Sequence, residues 1–145
     1  MMYEFPNGFN DLENWKQADD GSDSKENRKT KFMVAIAKAE GYGVPGVIPT
    51  RANNPGDLTR SLGFSTTGER LGSAAIVVFS DIANGWSALE RQLTLIETGQ
   101  SIHKLSDTIL AFAHSYTATE QETWAANVAA EIGLDPSATL GDYLA

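Results

Sequence analysis

Glycine and proline crowd into residues 41–57, directly after a stretch of the chain that has a helical pattern. Proline removes a backbone donor and clashes inside a helix, and glycine costs conformational entropy in helices and strands. This density of breakers excludes a helix or a long strand, so the segment is predicted to form a turn-rich connection. The residues concerned are Gly41, Gly43, Pro45, Gly46, Pro49, Pro55 and Gly56.

The stretch before this connection, residues 28–40 (RKTKFMVAIAKAE), is predicted to be a helix. The i, i+3, i+4 and i+7 positions of one helical face are Met33, Ile36, Ala37 and Glu40. Glu40 therefore lies on the apolar face and not on the polar one. A carboxylate in the last turn is not favoured by the helix dipole, so its presence there needs a reason.

After the connection, residues 57–79 contain short strand-like pieces around a glycine-containing turn, and AIVVF at 75–79 is the clearest strand. Apolar stripes and capping residues then predict four helices, at 80–99, 106–116, 119–133 and 135–144. Trp86 and Trp124 lie on these stripes and are expected in the core. The layout predicts an α+β fold that is mainly helical, with a small β-hairpin inserted after the first helix.

Capping residues set the expected ends of these helices. Gly99 and Gly133 stand where a glycine commonly follows the last helical turn. The residues predicted to cap the helix N-termini are Ser80, Ser106, Asp135 and Thr119, the last in a capping box with Glu122.

Two regions are predicted along the chain. Residues 1–27 form an acidic N-terminal segment with a possible short helix, and residues 16–29 look like a mobile linker because they are almost entirely polar. Residues 28–145 form the main domain. Seven acidic and two basic residues in 1–27 account for most of the net charge of −8.

Composition excludes several classes of function. A net charge of −8 disfavours nucleic-acid binding through a basic surface. With no cysteine and two histidines, neither a thiolate nor a histidine-rich metal site is expected, and no cofactor is predicted. No apolar run reaches the length that spans a bilayer. The N-terminus lacks the features of a secretory signal, so action outside the cytoplasm would require another route of delivery.

The chemistry open to Glu40 follows from its expected setting. Cleavage of a glycosidic bond needs an acid that keeps its proton near neutral pH, and a partly buried glutamate among apolar neighbours has a raised pKa. The polar run RANNPGD at 51–57 can line a groove beside it. The alternative is an ordinary carboxylate at the edge of an apolar stripe that reaches solvent.

Three stretches resemble the lysozyme-like catalytic domains of lytic transglycosylases. They are AIAKAEGYGVPGVIPTRANNPGDL, VFSDIANGWSALERQLTLIETGQS and WAANVAAEIGLDPSATL, and the resemblance covers residues 32–145. It implies a lysozyme-like fold and makes Glu40 the acid/base that cleaves the β-1,4 bond between N-acetylmuramic acid and N-acetylglucosamine of peptidoglycan. The product would be a 1,6-anhydro sugar or a hydrolysed end. The family usually has Asn where this chain has Asp57.

Five other residues are candidates for the site. Asp57 could be a second carboxylate, or a turn residue after Pro-Gly. Tyr116 ends an apolar helical face and resembles a late-helix tyrosine that helps the acid in related enzymes, or it is a half-buried core residue. Asn53 and Asn54 could bind sugar groups, form the turn, or do both. Tyr42 could stack on a sugar or pack beneath the loop.

Two rival functions remain open at this point. One is a chitinase-like hydrolase on the same scaffold. The other is a non-enzymatic protein of a virion or secretion apparatus, which binds glycan or fills a structural role. The expected partner is peptidoglycan or a related glycan, and the chain is expected to be a monomer with no membrane span.

Overall fold

The computed structural model describes residues 24–117 and 120–145. About half of this part of the chain is helical, and a two-stranded antiparallel sheet follows the first two helices, as the α+β prediction requires. None of the helices described is both long and apolar enough to cross a membrane. The elements are α1 (Lys25–Ala39), α2 (Ile48–Arg51), β1 (Thr66–Leu71), β2 (Ile76–Phe79), α3 (Ile82–Glu97), α4 (Ile109–Tyr116), α5 (Gln121–Glu131) and α6 (Leu140–Leu144).

Helix α1 begins earlier than the sequence pattern indicates. The predicted linker at 16–29 is wrong at its C-terminal end, because the Ser24 side chain caps the helix by accepting the Asn27 N–H. Lys29 is buried, and its Nζ lies 3.1 Å from Oε1 of Glu97 at the end of α3. The Glu97 carboxylate offsets the cost of burying the Lys29 charge, so that Lys29 can lie in the interior. The predicted N-terminal helix and the rest of the linker lie outside the described residues.

The described residues form three hydrophobic clusters, of which the largest is helical and has α1 at its centre. This helix packs against α3, α5 and α6, and its buried side chains meet those of α3, α4 and α5. Trp86 and Trp124 are buried, as predicted. The largest fully buried side chains are Trp86, Phe32, Phe79, Phe112, Met33, Ile36, Leu89, Leu93, Ile96, Ile109, Leu140 and Leu144.

Several helix ends differ from those predicted. The predicted caps Ser80, Ser106 and Asp135 are wrong, and the observed caps are Asp81, Thr108 and Thr139. Each observed cap accepts a backbone N–H through its side chain. Asp135 instead accepts the Ser137 N–H and hydroxyl in a turn, so the last helix spans only Leu140–Leu144.

The other predicted caps have different outcomes. Thr119 lies outside the described residues, so the predicted capping box is not described. Gly99 and Gly133 both have φ of 75° directly after their helices, which confirms their predicted role.

The connection at 41–57 is largely irregular, but it contains one short helix that the breaker density had excluded. Helix α2 forms because Pro49 stands in its first turn, where the missing N–H is not needed. The buried strand β2 then holds the connection from the other side. Val77 N–H donates to the Leu58 carbonyl at 3.0 Å, and Phe79 N–H donates to the Ala52 carbonyl at 2.9 Å.

Candidate active site

Glu40 is the C-cap residue of α1, and the backbone around it is closed by hydrogen bonds. Gly41 follows with φ of 83°, Gly41 N–H donates to the Lys38 carbonyl, and Tyr42 N–H donates to the Ala37 carbonyl. This pair of bonds is a Schellman motif, and glycine supplies the left-handed residue that the motif needs. The helix therefore ends at a defined point, which leaves the Glu40 side chain half-buried at the edge of the core.

The surroundings of Glu40 favour its protonated form. Burial, and then repulsion by the Asp57 carboxylate, raises the pKa of Glu40 to about 8. The Trp124 indole N–H acts in the opposite direction and lowers that pKa, although its contact with Glu40 falls short of full hydrogen-bond geometry. Burial is the largest of these three effects on the pKa of Glu40. At neutral pH, Glu40 thus holds a proton that it can donate.

The Asp57 carboxylate is within electrostatic range of Glu40, and its backbone adopts an unusual conformation. Its φ is 53°, in the left-handed region that Asp tolerates better than most residues. Burial raises its pKa to about 6. Its Oδ1 is buried, and no side chain or backbone group among the described residues donates a hydrogen bond to it. The turn interpretation of Asp57 is correct for the backbone, but the carboxyl group also belongs to the site.

Tyr116 connects α4 to the Asp57 loop. Its hydroxyl donates a hydrogen bond to the Gly56 carbonyl, with an O···O distance of 2.5 Å. Its ring packs against Phe112 and Trp124, with centroid separations of 5.0 and 5.3 Å. Burial, followed by the charges of Glu40 and Asp57, raises its pKa well above the ordinary value. Tyr116 therefore stays neutral and positions the loop.

The two asparagines act on the loop itself. Asn54 is 0% exposed, and its Nδ2 donates to the carbonyls of Leu58 and Val77 at 2.9 and 2.8 Å. Its Oδ1 accepts the Leu58 N–H at 2.9 Å. With its amide group fully occupied, Asn54 has no surface for a sugar, so its predicted role in substrate binding is corrected to a structural one. Asn53 has φ of 51° and donates from Nδ2 to the Phe79 carbonyl.

Tyr42 packs beneath the connection. Its ring meets the edge of the buried Trp86 ring, with centroids 5.5 Å apart and planes at 78°. This is the packing alternative for Tyr42, and its half-buried ring contacts the core at this edge. The predicted sugar-stacking role therefore gains no support from its position.

A cleft of about 460 Å³ borders Asp57 and Tyr116. This volume is in the range of about 300–1,000 Å³ that is typical of small-molecule sites. Glu40 is not among the lining residues, and its link to the cleft is through Asp57 and Tyr116, with which it interacts electrostatically. The remaining lining residues are Leu58, Thr59, Arg60, Leu62, Gln92, Leu95, Gln100, Ser101, Ile102, His103 and Ser115.

Three residues near the site were not predicted to belong to it. Ile102 is 84% exposed at the cleft, and His103 is 6% exposed with its ring edge against Phe112. Burial lowers the pKa of His103, with Asp107 acting in the opposite direction. Trp124 was expected in the core, and its contact with Glu40 is an additional role. The place of Ile102 and His103 at the cleft could not be predicted from the sequence, because the residues around them come from α4 and from residues 57–62.

Among the described residues, no group of three or more His, Cys, Asp or Glu side chains is arranged to hold a metal ion. What the site does contain is a second carboxyl group of lower pKa and a neutral tyrosine at a cleft, and a protonated carboxyl group within electrostatic range of both. This set can transfer protons to and from a bound molecule. Comparisons with known protein families, curated proteins and solved structures found no match to this chain.

Proposed function

We propose that the protein is a peptidoglycan-cleaving glycosidase on a lysozyme-like fold, with Glu40 as its acid. The observation that carries the proposal is the half-buried Glu40 carboxyl group, which has a pKa of about 8 at the end of α1 and lies next to residues of a cleft. A carboxyl group with this pKa remains protonated where most glutamates are ionised. Glycoside cleavage requires such an acid.

The reaction begins with proton transfer from Glu40 to the oxygen that leaves the anomeric carbon of N-acetylmuramic acid. The C1–O bond then breaks as positive charge develops on the sugar ring. The carboxylate that Glu40 becomes is stabilised poorly by its buried surroundings, which favours its return to the protonated form by taking up a proton. The ordered likeness of Glu-Gly, NNPG and GW-AL to lytic transglycosylases supports the choice of peptidoglycan as the substrate.

The cleft supports a carbohydrate ligand because it combines both kinds of contact that sugars use. Gln92, Gln100 and Ser101 supply amide and hydroxyl groups, and Leu95 and Ile102 supply apolar surface. Sugar rings present hydroxyl groups at their edges and C–H groups on their faces. A mixed lining of this kind fits them better than a uniformly apolar pocket does.

The test is digestion of purified peptidoglycan, followed by mass analysis of the released fragments. We expect fragments cut between N-acetylmuramic acid and N-acetylglucosamine, and much slower release from chitin. Faster release from chitin would favour a chitinase-like enzyme. Binding to peptidoglycan without released fragments would contradict the proposal and favour a non-enzymatic glycan-binding protein.

The pH dependence of cleavage should report the ionisation of Glu40. Because the acid form is the active one, kcat/KM is expected to fall tenfold per pH unit once the pH exceeds a value near 8. The titratable groups that interact with Glu40 are Asp57 and Tyr116, and Tyr116 stays neutral in this range. The measurement is the rate on soluble peptidoglycan fragments between pH 5 and 10. A decline that begins near pH 5 would contradict the role of Glu40 as acid.

A further inference from the structure

Arg60 carries the one permanent positive charge among the described residues that line the cleft. Within the described part of the chain, its guanidinium group forms neither an ion pair nor a hydrogen bond. Other cations of the protein are occupied, since Lys25, Lys29 and Lys38 pair with glutamates and Arg70 donates to two backbone carbonyls. A guanidinium group holds its N–H donors in a planar fork that matches a carboxylate. The donors of Arg60 are therefore available to a ligand.

None of the other described titratable groups that line the cleft pairs with Arg60. Asp57 is the acidic residue of the lining, and burial raises its pKa. No opposing effect of a guanidinium group acts on that pKa, although an arginine in contact with a carboxylate would lower it. Burial lowers the pKa of His103 and raises that of Tyr116, so both are neutral near pH 7. The charge of Arg60 thus has no counterion among the residues of the lining.

The backbone on both sides of Arg60 is held in place. The Arg70 guanidinium donates to the Thr59 carbonyl at 2.8 Å, which ties the preceding residue to the hairpin. Phe64 N–H donates to the Ser61 carbonyl at 3.0 Å and closes a turn after Arg60. A side chain on such a fixed segment loses less conformational freedom when it binds a ligand.

The proton donor lies outside the cleft lining. Because Glu40 does not line the cleft, the cleft holds a part of the ligand other than the bond that Glu40 cleaves. Binding energy from such a remote part can still orient the reacting bond. Gln92, Gln100 and Ser101 add uncharged donors and acceptors to the lining. One cation among uncharged polar groups fits a polar ligand unit that carries a negative charge.

Resting on the function proposed above, we propose that the cleft binds a carboxylate-bearing unit of the glycan and that the Arg60 guanidinium pairs with this carboxylate. Arg60 is then a specificity-determining residue and takes no part in proton transfer. Peptidoglycan carries carboxylates on its peptide stems, and on the lactyl group of N-acetylmuramic acid wherever the stem has been removed. Chitin in its acetylated form is uncharged. The pairing therefore makes the protein select acidic glycans over neutral ones.

The test combines one change in the protein with one in the substrate. Arg60→Gln removes the positive charge, and conversion of the carboxylates of soluble peptidoglycan fragments to amides removes the negative one. We expect Arg60→Gln to lower kcat/KM on the acidic fragments by about 10-fold to 100-fold, mainly through KM, as is typical for loss of a charged hydrogen-bonded pair. On the amidated fragments the variant should match the wild type. An equal loss on both substrates, or no loss on the acidic one, would overturn the inference.

Arg91 on α3 provides the matched control, because it is exposed and does not line the cleft. Arg91→Gln makes the same chemical change and should cleave both substrates at the wild-type rate. Arg60→Lys keeps the positive charge but loses the planar fork, so it should recover part of the lost affinity. Since the Arg60 side chain is exposed, its variants are expected to keep the fold.

Two forms of the substrate identify which carboxylate is bound. Intact fragments carry the carboxylates of the stem, and fragments stripped of their stems by an amidase carry the lactyl carboxylate. If Arg60→Gln impairs cleavage of the intact form alone, the stem is the partner of Arg60. If it impairs cleavage of the stripped form as well, the partner is the lactyl group. Either result supports the inference.

Binding measurements separate this inference from the proposed function. The Glu40→Gln protein should bind the acidic fragments without cutting them, and its dissociation constant should rise about 10-fold to 100-fold when Arg60→Gln is added. Cleavage by the wild type that does not depend on Arg60 would overturn the inference and leave the function of Glu40 intact. Absence of cleavage, together with binding that depends on Arg60, would overturn the proposed function and support the cleft as a site for acidic glycans.

Discussion

The variant Glu40→Gln is expected to cleave peptidoglycan about 100-fold to 10,000-fold more slowly than the wild type, which is the contribution typical of a general acid. The amide group has nearly the same shape as the carboxyl group, but it has no proton to give to the leaving oxygen. The measurement is the initial rate of fragment release at pH 7. Glu69→Gln, which makes the same chemical change on the exposed surface of β1, should cleave at the wild-type rate.

The same variant is expected to be more stable than the wild type at neutral pH. The pKa of Glu40 is about 8 in the folded protein, against an ordinary value of 4.5. Stabilisation by the protonated group is therefore complete below pH 4.5 and is lost as the pH rises through 8. At pH 7 the ionisable side chain costs on the order of 3 kcal/mol relative to a neutral one.

The comparison of the two proteins across pH measures this cost. Glu40→Gln should raise the free energy of unfolding by about 1–3 kcal/mol at pH 7, because part of the gain is lost to imperfect replacement of contacts. The gain should shrink toward pH 4.5 as the wild-type carboxyl group becomes protonated in both folded and unfolded states. Equal stability at all pH values, or undiminished cleavage, would show that Glu40 is an ordinary carboxylate that reaches solvent.

The variant Gly85→Ala is expected to lower the free energy of unfolding by about 3 kcal/mol or more. The added methyl group would meet backbone atoms, and these cannot move aside as a flexible side chain could. A Cβ atom at this position of α3 would lie 1.9 Å from the carbonyl oxygen of Asn53. The connection would have to move away from α3, and Asp57 would move with it. Chemical denaturation measures the stability, and fragment release measures the effect on the site.

Helix propensity alone predicts the opposite result for this variant. Alanine is better than glycine inside a helix by about 1 kcal/mol, so a purely local argument expects Gly85→Ala to be stabilising. The reverse change at an exposed position of the same helix, Ala83→Gly, isolates that local contribution and should cost about 1 kcal/mol. A Gly85→Ala protein as stable as the wild type would mean that α3 and the Asn53 backbone are not in close contact.

The helices could be predicted from the sequence because the spacing of apolar residues indicates which face of each helix is packed. The apolar face of α1 and the breakers that follow it predicted that Glu40 would lie at a helix end on the packed side, and the α+β layout is the one observed. The C′ glycines Gly99 and Gly133 were also predictable, since a helix that ends in a left-handed residue strongly favours glycine.

Helix starts were predicted less well than helix ends. Ser, Thr and Asp residues occur together before α3 and α4, and any of them is a chemically suitable cap. Which one accepts the N–H depends on where the preceding loop crosses the core, as at Asp81 and Thr108. The short α2 was missed for a related reason, because proline interrupts most helices but is tolerated in a first turn.

The site depends on contacts between residues that are far apart in the chain. Asn54 and Asp57 belong to one turn-forming run, and the same composition is compatible with solvent-exposed or buried side chains. Only the hydrogen bond from Asn54 to the Val77 carbonyl, and the one from Tyr116 to the Gly56 carbonyl, hold this run in the interior with Asp57 in electrostatic range of Glu40. Sequence periodicity therefore determined which carboxyl group lies on a packed face. Tertiary structure decided which second carboxyl group it meets, because that depends on how the connection folds back against β2, α3 and α4.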